Sequence, residues 1–451
     1  MISAQLTKRI NELAAENRKR ILDTADYIWK NPETGFREWK TSKYVGERFA
    51  ESGYSPVFLK DIPGFYADLD TGRPGPVLAI LGELDSVIVA GHPDADPATG
   101  AVHACGHHTQ CSYLVGTAAV LRDAELLKLM CGRIRFIAVP AEELIEIGYR
   151  TSLQKKGTIK YLGGKVELMH RGVFDGVDAS IMIHTGGKEK TVSVYKGNNG
   201  CLVKYITYKG KASHAGGGPD NGINALYAAM LGMGAINAVR ETFREANMTR
   251  VHPIITEGGE AVNIIPETVR LESFVRGASA KAIVAENKKI NRALAGAALS
   301  IGAGVQVSDI PGYMPLTNCE GLNELSNKVA AEILGADKVE INTKWFAGST
   351  DMGDLSCIMP VIQPSGGGGE GTGHGSDYRI RDPEAACIDS TRFISALACV
   401  LLADNGAELI KIRDSYKPEF ADKKAYFDFV DALFSDRELV TYDGDKASVI
   451  W

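Results

Sequence analysis

Residues 76–84, PVLAILGEL, constrain the fold most, because the run is apolar at nearly every position rather than at every second one. Strict alternation marks a strand with one wet face. An unbroken apolar run of this length is expected of a strand covered on both faces, as in an α/β sheet. Two further runs share the character, RIRFIAV at 133–139 and ASIMI at 179–183. Each leads into chemistry: Asp85 after the first, Pro140-Ala141-Glu142-Glu143 after the second, His184 after the third. Functional groups in open α/β sheets gather outside the carboxyl ends of the strands. The spacing therefore predicts that these residues share one end of one sheet.

The other elements fill in around that sheet. A helix over 4–29 follows from the stripe Leu6, Ile10, Leu13, Asn17, Ile21, Leu22, Ala25 and Ile28, and Asn31-Pro32 stops it. A second runs from Trp39 to Ser52, with Gly53 as its stop. Residues 86–102, rich in Pro, Asp and Gly, deliver the chain to HACGHH at 103–108, after which a small-residue helix runs from near Thr109 to 125. Residues 144–173 give no firm pattern. From about 190 the text alternates as strands, then a Gly-rich turn (211–222), a helix (222–246), strands at 251–258 and 264–275, a helix at 278–298 and a strand at 304–309. That order suits a small α+β domain of split βαβ type. A helix at 319–334, a strand-like segment at 339–345, loops at 348–356 and 363–374, and an apolar helix at 384–403 complete the chain up to its tail. The expected fold class is α/β, with a mixed-sheet domain (1–189 and 311–451) interrupted by a smaller α+β domain (190–310). The tail from 412 offers one amphipathic helix, 423–434, read as a packing arm.

Composition matters here for what it excludes. A formal charge of -6, a pI near 5.9 and the lack of a long basic run argue against nucleic acid or an anionic membrane as partner. No apolar run approaches spanning length, and the amino end lacks a signal core. Eight cysteines without a short regular framework suit a reducing cytoplasm. GGGGEGTGHG at 366–375 lacks the lysine and helix of a phosphate loop and is no dinucleotide fingerprint.

The dense polar cluster is His103, Cys105, His107 and His108, four metal-capable side chains in six residues. Cys105 and His107 are two apart and would diverge on a regular helix, so they converge only on a bent turn. With Glu143, His184 and His374 they make a donor set suited to zinc or a similar ion. Bland alternatives stand beside this: a buried Cys105, histidines at the start of a helix, and His184 or His374 as hydrogen-bonded structure. In extended backbone Glu142 and Glu143 face opposite sides, which lets one bind metal while the other works as a base. Asp85 fits as an acceptor for a ligand imidazole, or simply as a strand-end cap.

Several motifs then resemble one family. HACGHH at 103–108 is similar to HACGHD, and PAEE at 140–143 to QPAEE, of the M20 peptidases, in the amidohydrolase branch that cleaves N-acyl amino acids, hippurate and aminobenzoyl-glutamate. NPETGFREWKTSKYV at 31–45, SHAGGGPDNGINAL at 213–226, GGEAVNIIPE at 258–267, GSTDMGD at 348–354 and GTGHGSDY at 371–378 continue the resemblance over roughly residues 10–405. It implies a metallopeptidase domain interrupted by a dimerisation domain, a homodimer, and two divalent ions per subunit, zinc or manganese. It further implies that Cys105 bridges the ions, with His107, Glu143, His184 and His374 as the other ligands, Glu142 as general base, and His214 as oxyanion donor to the other subunit's site. Asn263 and Arg276 match residues that hold the substrate's carbonyl or free carboxylate. The implied substrate is a small amide, an N-acyl amino acid or an aminobenzoyl-glutamate-like conjugate. A dipeptidase of the same fold and a non-catalytic metal- or peptide-binding relative are the rival readings. The chain departs at His108, where the branch has Asp, at Gln110, where a histidine often lies, and at GELDSV (82–87), which lacks the usual Leu-Pro.

Overall fold

The structure, a computed structural model, describes residues 3–188 and 190–451. The chain divides into two compact units. The first comprises Met1–Gly197, Thr317–Trp345 and Asp354–Glu419; the second comprises Asn198–Leu316, Phe346–Gly353 and Phe420–Trp451. The expected boundary at residue 189 lies outside the described residues.

In the first unit Val77–Glu83 lies between Arg133–Val139 and Ala179–Ile181, parallel to both, and Val361–Ile362 adds another parallel strand. Phe65–Asp70 and Val57–Phe58 extend the sheet antiparallel at its other edge. Successive side chains of a strand point to opposite faces, and Leu78, Ala79, Ile80 and Leu81 are all fully buried. Neither face meets water, which is why the run does not alternate. The sheet is mixed α/β as expected, and the three predicted strand ends do lie side by side.

Helix His107–Leu121 is buried at every position except Ala119 and packs on Val77–Glu83 and on helices Arg18–Trp29 and Ser390–Leu402. An element enclosed on all sides needs no polar stripe, hence its run of small and apolar residues. It starts at His107 rather than near Thr109, because Gly106 turns into it with φ 94°. The helix expected over 4–29 is broken at Asn17 into Ala4–Glu16 and Arg18–Trp29, where the Asn17 amide donates to the Leu13 carbonyl at 2.9 Å. The stretch Glu384–Leu402 has the length and apolarity of a membrane span, yet most of it is buried in this unit.

A smaller four-stranded sheet holds Val339–Ile341, Val192–Val194, Ser365–Gly367 and His184–Lys188 in that order. Its parallel pair sets Ser365 opposite His184 and so brings the glycine run alongside that histidine. The strand expected to end in His184 stops at Ile181, and His184 opens a new strand in this second sheet.

The second unit is antiparallel. Ignoring the tail, its strands lie in the order Arg250–Val251 with Ile254–Glu257, then Thr268–Gly277, Gly200–Lys209 and Gly304–Tyr313. Helices Ala225–Arg240 and Ala280–Ser300 pack on one another and on those strands. This is the split βαβ arrangement. The tail differs from its expectation. Its helix is Lys423–Asp431, after which Ser435–Asp443 and Lys446–Val449 form a hairpin that joins the sheet beside Gly304–Tyr313. Residues 420–451 thus fold with the second unit rather than with the first, where the sequence pattern puts them. Leu439 and Val440, both buried, supply the apolar side of that hairpin.

Candidate metal centre

The carboxyl ends of the three parallel strands and the turn before helix His107–Leu121 bring the donors together. Gly106 makes the turn possible twice over: its φ is positive, and a Cβ there would meet the Tyr378 hydroxyl at 2.7 Å. Cys105 Sγ lies 3.4 Å from His184 Nε2. The His184 Nδ1 faces the Thr185 carbonyl at 3.0 Å, so that nitrogen carries the proton and Nε2 offers its lone pair to the cluster. His107 repeats the arrangement. Its Nδ1 faces two acceptors, the Asp85 carbonyl at 2.9 Å and Asp85 Oδ1 at 3.2 Å, leaving Nε2 without a well-aligned partner. Asp85 Oδ2 meanwhile accepts the Glu143 N–H at 2.8 Å, so one buried carboxylate ties the histidine to the acidic turn.

That turn is held under strain. Ala141 has φ 56°, an uncommon conformation for a residue with a Cβ and one that costs of order 1–3 kcal/mol. Glu38 Oε1 accepts the Ala141 N–H at 2.7 Å. The fully buried Arg150 donates to the carbonyls of Leu162 (2.7 Å), Ala141 (3.3 Å) and Glu143. The turn sends Glu143 toward His374, whose Nε2 lies 2.9 Å from Glu143 Oε1, and Glu142 toward His107, with Oε2 3.9 Å from Nε2. His374, itself at φ 63°, donates its backbone N–H to the Ala104 carbonyl at 2.9 Å, which pins the glycine-rich loop to the cysteine turn.

Three groups result, within each of which the donor atoms lie no more than 4.8 Å apart: Cys105, His107 and His184; Cys105, Glu143 and His374; and Glu83, His107 and Glu142. Sulfur, imidazole and carboxylate donors together suit a borderline transition ion, and the two bare Nε2 atoms aimed inward fit one. All five residues expected as ligands fall in the first two groups. Electrostatics ready two of the donors, Glu143 and His184, and keep protons on two others, His107 and Cys105. Burial would raise the Glu143 carboxyl, but the His374 hydrogen bond and the charges of His374 and His107 outweigh it and hold the group at about 2. Burial and the neighbouring His107 push His184 down to about 4, so it is neutral and able to ligate. Burial opposes charge on His107 as well, yet Cys105, Glu83 and the Asp85 hydrogen bond lift it well above the usual range. Burial and Glu143 drive the Cys105 thiol up.

His103 and His108 stay out of the cluster. They pack edgewise in an aromatic group with Trp29, His108 lying 4.9 Å from the indole and 5.7 Å from His103. Burial keeps both neutral, His108 at about 3. Sequence reasoning missed Glu83, Lys165, Arg150 and Glu38, and read Gln110 only as a departure from the family. Glu83 alone carried a signal, an acid inside an otherwise apolar strand.

The other predicted residues belong to the second unit. His214 is exposed, and its Nδ1 accepts the N–H groups of Gly216 (3.1 Å) and Gly217 (2.8 Å). Nε2 is thereby the ring nitrogen left to donate. The Ala215 N–H donates to the Asn263 carbonyl at 2.9 Å, so the two motifs containing His214 and Asn263 are neighbours. Arg276 sits near the end of Thr268–Gly277, half-buried over Phe274, with Nη1 3.3 Å from Ser349 Oγ.

Residues 79–399, which carry this geometry, match peptidase family M20/M25/M40. The chain belongs to that family. Among M20 relatives and related hydrolases it is 33% identical to the Xaa-Arg dipeptidase of Mus musculus, over 60% of this chain and 58% of that protein. It is 30% identical to a p-aminobenzoyl-glutamate hydrolase subunit of Escherichia coli, over 60% of this chain and 59% of that protein. These matches span less than two thirds of either relative. A dinuclear metal binding peptidase of the M20 family from Bacillus subtilis shares the fold with a TM-score of 0.63 and 22% identity, covering 85% of this chain and 98% of that one. The cluster thus lies within the matched M20 segment.

Proposed function

We propose that the protein is a homodimeric amidohydrolase that uses two divalent ions, zinc or manganese, to cleave an amide whose amine half is an amino acid with a free carboxylate. N-acyl amino acids, aminobenzoyl-glutamate-like conjugates and dipeptides share that chemistry, and the two relatives from mouse and Escherichia coli carry the latter two classes in their names. The observation that carries the reading is the pair of donor groups sharing Cys105 beside the divided acids Glu142 and Glu143. Cys105, His107 and His184 would hold one ion; Cys105, Glu143 and His374 the other. Bound there, the ions would polarise the carbonyl and make water acidic.

Glu142 then has the proton work. It takes a proton from the attacking water and returns it to the departing amine. Its turn is braced by Arg150 and Glu38, which keeps the carboxylate from swinging away as charge develops. His214, whose outward Nε2–H is a donor, supplies the hydrogen bond to the oxyanion in a partner subunit's site. Asn263 orients the carbonyl, and Arg276 clamps the free carboxylate with its planar fork. The dimer is supported by exposed apolar residues of the second unit, Tyr227 at 59%, Met230 at 55% and Ile254 at 60% exposure. The eight free cysteines support a reducing, cytoplasmic setting.

The test is a screen of the zinc- or manganese-loaded chain against N-acyl amino acids, dipeptides and aminobenzoyl-glutamate, with Glu142→Gln as control. Wild type should release the free amino acid from at least one class. The variant should keep its metals and lose at least about 100-fold in kcat. A fully loaded wild type that hydrolyses nothing would favour the non-catalytic rival, and normal turnover by the variant would remove Glu142 from its role.

A further inference from the structure

We infer that Glu83 is a ligand for the ion on the His107–His184 side, held to that task by Lys165 and Gln110. This rests on the two-metal reading above and adds a donor that the resemblance does not supply. Glu83 is the last residue of strand Val77–Glu83, fully buried, with Oε2 3.2 Å from His107 Nε2. The Nδ1 proton of His107 is committed to Asp85. Once His107 gives up its Nε2 proton to ligate, the lone pair left there faces the lone pairs of the Glu83 carboxylate, out of reach of water. Two acceptors in that position repel unless a cation lies against both. Glu83 also belongs to the donor group with His107 and Glu142.

Its surroundings fix its orientation rather than satisfy it. Lys165, fully buried, donates to Oε1. Gln110 grips the residue at two points: its Oε1 accepts the Glu83 N–H at 2.9 Å, and its Nε2 donates to Oε2 at 2.8 Å. Each carboxylate oxygen thereby has one protein donor, and Oε2 keeps a lone pair toward His107. Charge points the same way. Glu83, Asp85, Glu142 and Glu143 bring four carboxylates to this end of the sheet against two buried cations, Lys165 and Arg150, so the balance calls for further positive charge. The departure at Gln110 also finds its role here, since an amide can both accept and donate where a neutral imidazole offers one of each on opposite edges.

The experiment measures metal rather than turnover. Zinc and manganese stoichiometry would be determined by elemental analysis after dialysis, with affinities from chelator competition. The chains compared are wild type, Glu83→Gln, and Glu83→Gln combined with Lys165→Met. The double variant leaves no unpaired buried charge and covers the event that the single one misfolds. Both should retain one ion at wild-type affinity and bind the second about 10–100-fold more weakly. The visible spectrum of the cobalt-substituted chain should change at the same site. Two ions bound with unchanged affinity in either variant would overturn the inference and leave Glu83–Lys165 a structural ion pair. A wild type that binds no more than one ion would instead remove the two-metal reading beneath it.

Discussion

Each unit of the molecule buries a lysine completely, and the two are answered differently. In the second unit Lys204 donates to Asn287 Oδ1 (2.9 Å), Asn291 Oδ1 (2.6 Å) and Asp309 Oδ1, while the two asparagine amides donate to Asp309 Oδ2 at 2.7 and 3.2 Å. Three ammonium protons meet three acceptors, and the circuit closes. In the first unit the circuit around Lys165 and Glu83 runs on to His107 Nε2 and stops there, at an atom with no aligned partner. A closed polar network specifies packing; an open one next to thiol, imidazole and carboxylate donors specifies a ligand. The contrast teaches more about function than either lysine does alone.

The largest effect expected comes from cutting each lysine. Removing one partner of a buried pair costs about 3–5 kcal/mol, because the other charge is stranded. Lys204→Met should lower the thermal transition of the second unit by the same amount with or without zinc. Lys165→Met should be comparably damaging in the metal-free chain and partly rescued by zinc, since an ion beside Glu83 replaces the lost charge. Differential scanning calorimetry of both variants, with metal and with chelator, reads this directly. Equal rescue, or none for either, would erase the distinction.

How much of this was legible beforehand follows the same divide. The parallel strands and the donors at their ends could be read from residues 76–84, 133–139 and 179–183, because continuous apolar runs and a Cys-x-His turn are local signals. Lys165 and Arg150 could not. They come from 144–173, a stretch without periodicity that folds into helices Ile147–Lys155 and Gly164–His170, and their meaning depends on tertiary partners. The tail hairpin was invisible for a related reason. Ser435–Asp443 is exposed over much of its length, and only Leu439 and Val440 mark its buried side. Gln110 looked like a loss of histidine and becomes intelligible only once Glu83 is seen beside it.

The next contrast removes amides instead of charges. Gln110→Leu strips Glu83 of an acceptor and a donor at once, a change worth about 1–3 kcal/mol for each buried group left unpaired. Asn291→Leu removes one arm of a network in which Asn287 still reaches both Lys204 and Asp309. Urea unfolding should therefore show a greater loss for Gln110→Leu, and chelator competition should show weakened metal binding for that variant alone.

Proton release discriminates further. Cys105 and His107, both lifted above their usual range, carry protons at neutral pH in the metal-free chain, whereas His184, at about 4, does not. An ion takes the deprotonated ligand, so loading should expel protons, and affinity should rise with pH by about tenfold per unit for each proton released. Calorimetric titration with zinc in two buffers of different ionisation enthalpy counts those protons. Lys204→Met should leave the count untouched, and Cys105→Ser should reduce it.

The smallest effect concerns acid stability. Glu143 titrates at about 2, below its ordinary 4.5, because His374 and His107 favour its charged form over the penalty of burial. A carboxyl with a depressed value stabilises the fold above its ordinary range and loses that contribution as pH falls from about 4.5 through about 2. His374 is half exposed, so solvent screens the pair and the gain is modest. In metal-free chains the stability difference between wild type and Glu143→Gln should be steady above pH 4.5 and shrink toward pH 2. Denaturant midpoints measured across that window test it. A gap that persists unchanged at the acid end would mean that packing of the side chain, and not its charge, is what Glu143 contributes before metal arrives.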